Sequence, residues 1–217
     1  MPRVGVVTFP GTCDDRDALR AVELCGGEPV RLWHGDANLQ GVDAVLLPGG
    51  FSYGDYLRCG AIARFSPVMG AVAEFAGRGG RVLGVCNGFQ VLCEAGLLPG
   101  VLRPNHGGRF VCADVDLAVE APSPWTGGRA GGTTLRIPIK HHDGAWYVPD
   151  GDLDRLVAGG QVLLRYAEDV NGATGGVACV TNEAGNVCGL MPHPEHAVDA
   201  LLGSTDGRPL IDALLAA

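Results

Sequence analysis

The first half of the chain alternates short apolar runs with longer stretches of helical periodicity. The apolar runs cover residues 3–9, 29–34, 43–47 and 81–85, and the helical stretches cover residues 14–25, 62–76 and 89–95. Short, almost continuously apolar runs between helices are typical of parallel strands that are buried on both faces. The alternation therefore predicts an α/β fold, with an open, mostly parallel twisted sheet and helices on both faces.

The second half of the chain consists mainly of strand-like runs joined by short turns. These runs cover residues 110–119, 133–139, 161–166, 176–182 and 187–191, with a hairpin connection at 182–186 and closing helices at 197–202 and 209–215. We therefore expect additional antiparallel strands in the C-terminal half. Because no internal repeat and no linker interrupts the chain, we predict a single domain over residues 1–217.

One predicted strand-to-helix turn carries a cysteine between glycines. The run Gly84-Val85-Cys86-Asn87-Gly88 joins the apolar run at 81–85 to the helical stretch at 89–95. Small flanking residues permit the sharp turn that exposes the nucleophile of Gly-x-Ser-x-Gly hydrolases at the carboxyl edge of a sheet. The helix behind the turn favours a thiolate at its N-terminus. Cys86 is thus a candidate nucleophile, and the alternative is a small buried hydrophobic residue.

An imidazole and a carboxylate follow far downstream, in the run Pro192-His193-Pro194-Glu195. Taken alone, such a run is more typical of a surface turn. Together with a glycine-flanked cysteine, it supplies the base and the orienting group of a covalent acyl-transfer site. We therefore predict a catalytic triad of Cys86, His193 and Glu195.

Glycines also end the third predicted strand, at Gly49 and Gly50. Ligands of open parallel sheets gather at the carboxyl ends of the strands. Backbone N–H groups of this turn and of Asn87 would form an oxyanion hole, unless Pro-Gly-Gly only turns the chain. Gln90 lies one helical turn past Cys86 and is expected to hydrogen-bond a small polar substrate, unless it is a structural or solvated helix residue.

Composition and charge exclude several classes of protein. Hydrophobic residues make up 47% and charged residues 18% of the chain, which is typical of a globular protein. No apolar run approaches the roughly 20 residues that cross a membrane. The net charge of -8 and a single lysine, Lys140, leave no basic stripe for nucleic acid or anionic lipid. We expect a cytoplasmic protein that binds neither nucleic acid nor membrane.

The eight cysteines show no Cys-x-x-Cys pair and no Cys/His ligand spacing. The adjacent His141 and His142 would point to opposite faces of a strand, so we expect no metal site. Cys59, in a glycine-rich loop near the predicted site, is a further candidate for a reactive thiol. The others in strand-like or helix-like runs are expected in the core: Cys25, Cys93, Cys112, Cys179 and Cys188.

The combination of Gly-x-Cys-x-Gly, a following glutamine and a distant His-Pro-Glu resembles the class I, or triad-type, glutamine amidotransferases. More narrowly, the chain resembles the glutaminase subunits of phosphoribosylformylglycinamidine synthase over nearly its whole length. The stretches that carry this resemblance are residues 9–15, 48–60, 84–90, 105, 109–110, 137–141 and 191–195. The Pro-Gly-Gly-Phe-Ser-Tyr-Gly-Asp block from residue 48 is the most specific of them, and the resemblance implies a flavodoxin-like glutaminase fold.

The resemblance implies that Cys86 attacks the side-chain amide of glutamine, which gives a γ-glutamyl thioester and ammonia. His193 would act as base and then as acid, Glu195 would orient it, and water would release glutamate. It also implies a large synthetase subunit, which uses ATP to convert formylglycinamide ribonucleotide to the amidine in purine biosynthesis, and a small assembly subunit. ATP and magnesium would belong to the synthetase, so no cofactor is expected in this chain.

Three segments depart from the pattern of this family, and one of them is His106-Gly107, which alters the stretch before Arg109. His196 stands where the family usually has arginine, and Lys140-His141-His142-Asp143 replaces a small residue, histidine, glycine and an acidic residue. Three functions remain open: a glutaminase subunit, for this or a different synthetase; a self-sufficient cysteine hydrolase of a related α/β fold; and a non-catalytic assembly subunit. For the first, the glycines at 49 and 50 would let an oxyanion donor swing into place only on docking.

Overall fold

The structure is a computed structural model that describes residues 1–216, in which eleven strands and five α-helices are formed. The strands are β1 (Arg3–Thr8), β2 (Glu28–Trp33), β3 (Ala44–Leu47), β4 (Arg81–Val85), β5 (Val101–Arg103), β6 (Val111–Val119), β7 (Thr134–His141), β8 (Ala145–Tyr147), β9 (Val162–Tyr166), β10 (Val177–Thr181) and β11 (Val187–Leu190). The α-helices are α1 (Asp15–Leu24), α2 (Pro67–Gly77), α3 (Asn87–Glu94), α4 (Asp152–Ala158) and α5 (Arg208–Leu215).

Nine strands form one sheet in the order β2-β1-β3-β4-β11-β10-β9-β6-β7, and β5 pairs with β8 separately. Strands β2, β1, β3, β4 and β11 are parallel to their neighbours. From β11 to β7 every pairing is antiparallel, so β10 and β6 run opposite to the other strands of the sheet. The predicted α/β class is confirmed, with the antiparallel strands in the second half of the chain.

The parallel half of the sheet is built from strands with hardly any polar side chain. All four residues of β3 and the last four of β4 are buried, and helices α1, α2, α3 and α5 pack against strands of this half. Burial of such runs stabilises the fold by about 25 cal/mol for each Å² of apolar surface removed from water. The core therefore lies directly below the carboxyl ends of β3 and β4.

Two predicted helices differ from the structure. The helical stretch predicted at 62–76 is divided into a 3-10 turn, Ala63–Phe65, and helix α2, because Ser66 precedes a proline and is extended. The helix predicted at 197–202 is wrong. Asp199 is extended there and its carboxylate accepts from the amide of Leu201, which leaves a single 3-10 turn at Ala200–Leu202.

Sequence reasoning also missed β5, β8 and α4, which are short and lack a clear apolar period. Cys93, Cys179 and Cys188 are buried as predicted, and Cys25 is half-buried. The prediction for Cys112 is wrong, because this residue is exposed. Strand β9 pairs only with the last residues of β6, so the segment that carries Cys112 extends past β9 with β7 as its neighbour.

Strand β11 brings the end of the chain to the middle of the sheet. It lies parallel to β4, with Leu190 opposite Val85. The residues that follow the two strands therefore emerge side by side at the same edge of the sheet. Among residues 1–216, no helix is both long and apolar enough to span a bilayer.

Candidate active site

Cys86 lies at a sharp turn between β4 and α3, with backbone angles φ 49° and ψ -106°. This conformation is rare for a residue with a side chain and marks a strained turn. A Cβ at Gly84 would lie 2.5 Å from Leu92 Cδ1, and one at Gly88 would overlap the carbonyl oxygen of Leu47. Both flanking glycines are therefore required for the close approach of α3 to the sheet.

Strand β11 and the turn after it position the imidazole and its carboxylate. The amide of Cys86 donates to the carbonyl of Leu190 at 2.8 Å, which joins the two strand ends. The amide of His193 donates to the carbonyl of Pro138 in β7, also at 2.8 Å. His193 Nδ1 lies 2.6 Å from Glu195 Oε1, and both side chains are buried.

The charges around His193 favour its protonated form. Burial acts to lower the pKa of His193, but the Glu195 carboxylate and the Cys86 thiol outweigh it and raise that pKa to about 10. Nε2 has no hydrogen-bond partner within the described chain. Because Nδ1 is held by Glu195, Nε2 is the nitrogen available to exchange a proton with Cys86 or a substrate. The predicted triad residues are thus brought together in one buried cluster.

Gly49 and Gly50 form a tight turn after β3, next to the triad. The carbonyl of Gly49 accepts from the amides of Cys13 and Asp14 at 3.1 and 3.2 Å. Gly50 has a φ of 147°, and a Cβ there would lie 2.6 Å from the nitrogen of Cys13. Within residues 1–216, the amides of Gly49, Gly50 and Asn87 donate to no other backbone carbonyl. Their role as oxyanion donors stays a prediction.

The side chains of Asn87 and Gln90 are buried and hold neighbouring loops. Asn87 accepts from the amide of Ser52 at 3.1 Å, and its Nδ2 donates to Gln90 Oε1 at 2.9 Å. Gln90 donates in turn to the carbonyl of Asp143 at 2.7 Å. These contacts connect the start of α3 to both loops beside the nucleophile. Whether either residue also binds substrate remains a prediction.

Cys59 lies near the site but is poorly suited to be a nucleophile. Burial, together with the carboxylates of Asp55 and Asp143, raises the pKa of its thiol well above the usual range. The thiolate is therefore disfavoured. His141 is buried, where its Nδ1 lies 3.0 Å from Asn105 Oδ1, whereas His142 is exposed, so the two imidazoles do point to opposite faces.

Sequence reasoning missed a further group of charged residues beside the triad. Asp14, in the loop before α1, is buried, and its Oδ2 lies 3.7 Å from His193 Nδ1. Lys140 Nζ, from β7, lies 2.5 Å from Asp14 Oδ1, and His196 Nε2 lies 3.8 Å from the same oxygen. Lys140 and His196 both lie in segments that depart from the family pattern, but nothing in their spacing indicates a contact with Asp14.

Ligand atoms of Asp14, His193, Glu195 and His196 lie within 4.8 Å of one another, a spacing that a metal ion could share. However, the Lys140 ammonium is hydrogen-bonded to Asp14, and Glu195 engages His193 Nδ1. A divalent cation would have to displace both of these bonds. We assign the cluster to the hydrogen-bond network of the triad, and the absence of a metal stays a prediction.

Comparison with known proteins agrees with this geometry. The CobB/CobQ-like glutamine amidotransferase domain family matches residues 1–208. Phosphoribosylformylglycinamidine synthase subunit PurQ of Rubrobacter xylanophilus is 58% identical over 215 residues, which are 99% of this chain and 98% of that protein. The subunit of the same name from Rhodococcus jostii is 58% identical over 206 residues, 94% of this chain and 92% of that protein.

Two solved structures have a similar fold. A chain in the structure of PurLQS from Thermotoga maritima has a TM-score of 0.91 and 44% identity, and the match covers 99% of this chain and 98% of that one. A glutamine amidotransferase from Thermotoga maritima has a TM-score of 0.59 and 16% identity, and the match covers 89% of this chain and 76% of that one. The second similarity concerns the fold alone.

Proposed function

The chain belongs to the CobB/CobQ-like glutamine amidotransferase family, and from this membership we propose that it is the glutaminase subunit of a phosphoribosylformylglycinamidine synthase. The observation that carries the proposal is the parallel pair β4 and β11, whose ends bring Cys86 beside His193 and Glu195. Full-length identity to the two PurQ subunits supports the choice of this synthetase over others.

Cys86 is the nucleophile of the proposed reaction. Cys86 gives its thiol proton to His193 Nε2, and the resulting thiolate attacks the side-chain carboxamide carbon of glutamine, which forms a tetrahedral intermediate with a negative charge on the oxygen. We assign the amides of Gly49, Gly50 and Asn87 as the oxyanion donors, and the lack of a backbone acceptor for each of them in the described chain supports this assignment. Collapse of the intermediate breaks the C–N bond and leaves a γ-glutamyl thioester on Cys86.

His193 moves the protons of both steps. As an imidazolium it gives the Nε2 proton to the departing nitrogen, which leaves as ammonia, and as an imidazole it then takes a proton from the water that hydrolyses the thioester. Glu195 holds Nδ1–H at 2.6 Å and so keeps the ring in the tautomer that presents Nε2 to the reaction. Glutamate is the second product.

The proposed partners follow from the same family. Ammonia passes to a large synthetase subunit, which binds ATP and magnesium and acts on formylglycinamide ribonucleotide, and a small subunit helps to assemble the complex. We also propose that the chain acts in the cytoplasm. The Gly49-Gly50 turn would complete the oxyanion hole only when the synthetase docks, so the isolated chain would be a slow glutaminase.

Glutamate release from glutamine tests the proposed chemistry. We expect slow release by the isolated chain and a loss of at least about 1,000-fold for Cys86→Ala, because no other group can form the thioester. Cys59→Ala is the matched control, since it removes a neighbouring thiol that the mechanism does not use, and it should retain activity.

The same assay with the synthetase, the small subunit, ATP and formylglycinamide ribonucleotide tests the partner. We expect Cys86-dependent release to rise on assembly. Equal rates with and without the synthetase would contradict the docking step. If folded protein released no glutamate under either condition, the glutaminase assignment would be wrong, and hydrolysis of other amides or esters would have to be examined.

A further inference from the structure

Two carboxylates, rather than one, face the same nitrogen of the catalytic imidazole. Glu195 Oε1 lies 2.6 Å from His193 Nδ1, and Asp14 Oδ2 lies 3.7 Å from it. Both carboxylates are almost fully buried, with side-chain exposures of 2% and 6%. Because a buried carboxylate must be balanced by a nearby positive charge, this arrangement needs more than His193 alone.

Lys140 supplies the second positive charge. It is the only lysine in the chain, and its ammonium lies 2.5 Å from Asp14 Oδ1. Its backbone carbonyl also lies 3.9 Å from Cys86 Sγ. One residue of β7 therefore contacts both the nucleophile and the second carboxylate. With Asp14 and Glu195 negative and Lys140 and His193 positive, the buried cluster is neutral.

Asp14 is held against the imidazole by the turn after β3. Its amide donates to the carbonyl of Gly49 at 3.2 Å. A Cβ at Gly49 would overlap Asp14 Oδ2 and would lie 2.7 Å from His193 Cε1. The side chains of Asp14 and His193 thus share the space that the missing Cβ leaves, and a larger residue at position 49 would push them away from it.

We propose that Asp14 is a second positioning carboxylate for His193, and that the Lys140 ammonium sets how strongly Asp14 holds the imidazolium. This inference rests on the proposed function, because it assigns a task to two residues around the same triad. Asp14 attracts the imidazolium, and Lys140 weakens that attraction by pairing with the opposite oxygen of the carboxylate. Removing Asp14 should therefore lower the pKa of His193, and removing Lys140 should raise it.

Within residues 1–216, four other titratable groups lie around His193, and none of them takes part in the ion pair between Asp14 and Lys140. Glu195 and His196 lie on its own segment, with the two imidazole rings 5.4 Å apart. The Cys86 thiol faces it from the β4–α3 turn, and His141, from β7, is close enough that the charge of His193 helps burial to lower the pKa of His141. Burial acts to lower the pKa of Lys140, but Asp14 outweighs it and raises that pKa, so this ammonium stays charged.

The test is the protonation of His193 as a function of pH, measured in the variants Asp14→Asn and Lys140→Met. We expect the basic limb of the glutaminase pH profile to move down by about one pH unit in Asp14→Asn, and up by a similar amount in Lys140→Met. Lys140→Arg should keep the profile of the original protein, because it retains the charge. Asp15→Asn is the matched control, since that neighbouring carboxylate pairs with Arg31 instead.

Titration of His193 by NMR in histidine-labelled protein separates this inference from the proposed function, because it needs no turnover. Opposite shifts in the two variants support the inference even if no glutaminase is found. Shifts in the same direction, or none, overturn it even in an active enzyme. If Asp14→Asn does not fold, the inference is tested with Lys140→Met and Lys140→Arg. A pKa of His193 that is unchanged or lowered in Lys140→Met then overturns it.

Discussion

At the scale of single residues, polar side chains of the site are buried and form hydrogen bonds to other groups of the protein rather than to solvent. Asn87 is the clearest case. Its amide group accepts from Ser52 and donates to both Gln90 and Asp55, at 2.9 and 3.3 Å respectively. A polar side chain with these partners is costly to remove, because the Ser52 amide and Gln90 Oε1 are buried and would each lose this hydrogen bond. The residue next to the nucleophile thus maintains the loop that covers it.

We expect Asn87→Ala to raise the KM for glutamine at least several-fold and to lower the free energy of unfolding by about 1–3 kcal/mol. The control is Asn182→Ala, which removes a similar set of hydrogen bonds to Asn186 and Val187 in the β10–β11 hairpin. It should destabilise the protein without changing KM. A KM unchanged in Asn87→Ala would show that the loop does not need this anchor.

At the scale of elements, helix α3 lies unusually close to strand β11. The contact is possible because Gly189 has no side chain, and a Cβ there would overlap the ring of Phe89 and lie 2.5 Å from Leu98 Cδ1. Since Cys86 directly precedes α3 and His193 follows β11, the distance between these two elements sets the distance between the proposed nucleophile and the proposed base. A glycine in the middle of β11, with no side chain of its own in the site, therefore affects the geometry of the site.

We expect Gly189→Ala to lower the free energy of unfolding by about 3 kcal/mol and to reduce kcat, because α3 must move away from β11 to accommodate the added methyl group. Gly70→Ala is the matched control. Gly70 lies in α2 with no atom near its Cβ position, so alanine should stabilise the protein by about 1 kcal/mol and leave kcat unchanged. Denaturant unfolding and steady-state kinetics measure both quantities. An unchanged kcat in Gly189→Ala would show that the distance between α3 and β11 does not affect catalysis.

At the scale of the whole molecule, the charges of the site are coupled to folding. Burial opposes the charge of His193, yet Glu195 and Cys86 raise its pKa to about 10, above the value of about 6.5 expected in the unfolded chain. A raised pKa means that the folded protein binds this proton more tightly than the unfolded chain does. The resulting stabilisation is complete below pH 6.5 and is lost as the pH rises toward 10.

We therefore expect the free energy of unfolding to fall between pH 6.5 and 10, by an amount on the order of 5 kcal/mol. His193→Gln should flatten this dependence, because it removes the proton that links folding to pH. Denaturant titrations at several pH values measure the effect. If the free energy of unfolding depended on pH with the same slope in the original protein and in His193→Gln, groups other than His193 would cause the dependence.

Much of the fold and of the triad could be predicted because the responsible signals are local. Residues 81–85 are apolar and are followed by glycines around a cysteine, a pattern that only a strand, a turn and a helix satisfy. The helix predicted at 197–202 failed because Asp199 caps its own backbone, a competition that periodicity does not reveal. The charged pair of Asp14 and Lys140 was missed for another reason, since these residues are 126 positions apart.

The sequence by itself determined the nine strands of the main sheet, the candidate nucleophile and its candidate partners in chemistry, since residue type, spacing and glycine content act over a few positions. Tertiary structure alone decided which strand ends meet. The parallel pairing of β11 with β4 places His193 beside Cys86, and β7 brings Lys140 to Asp14. These contacts arise from burial of apolar strands in one sheet, which is summed over the whole chain and cannot be read from any one segment.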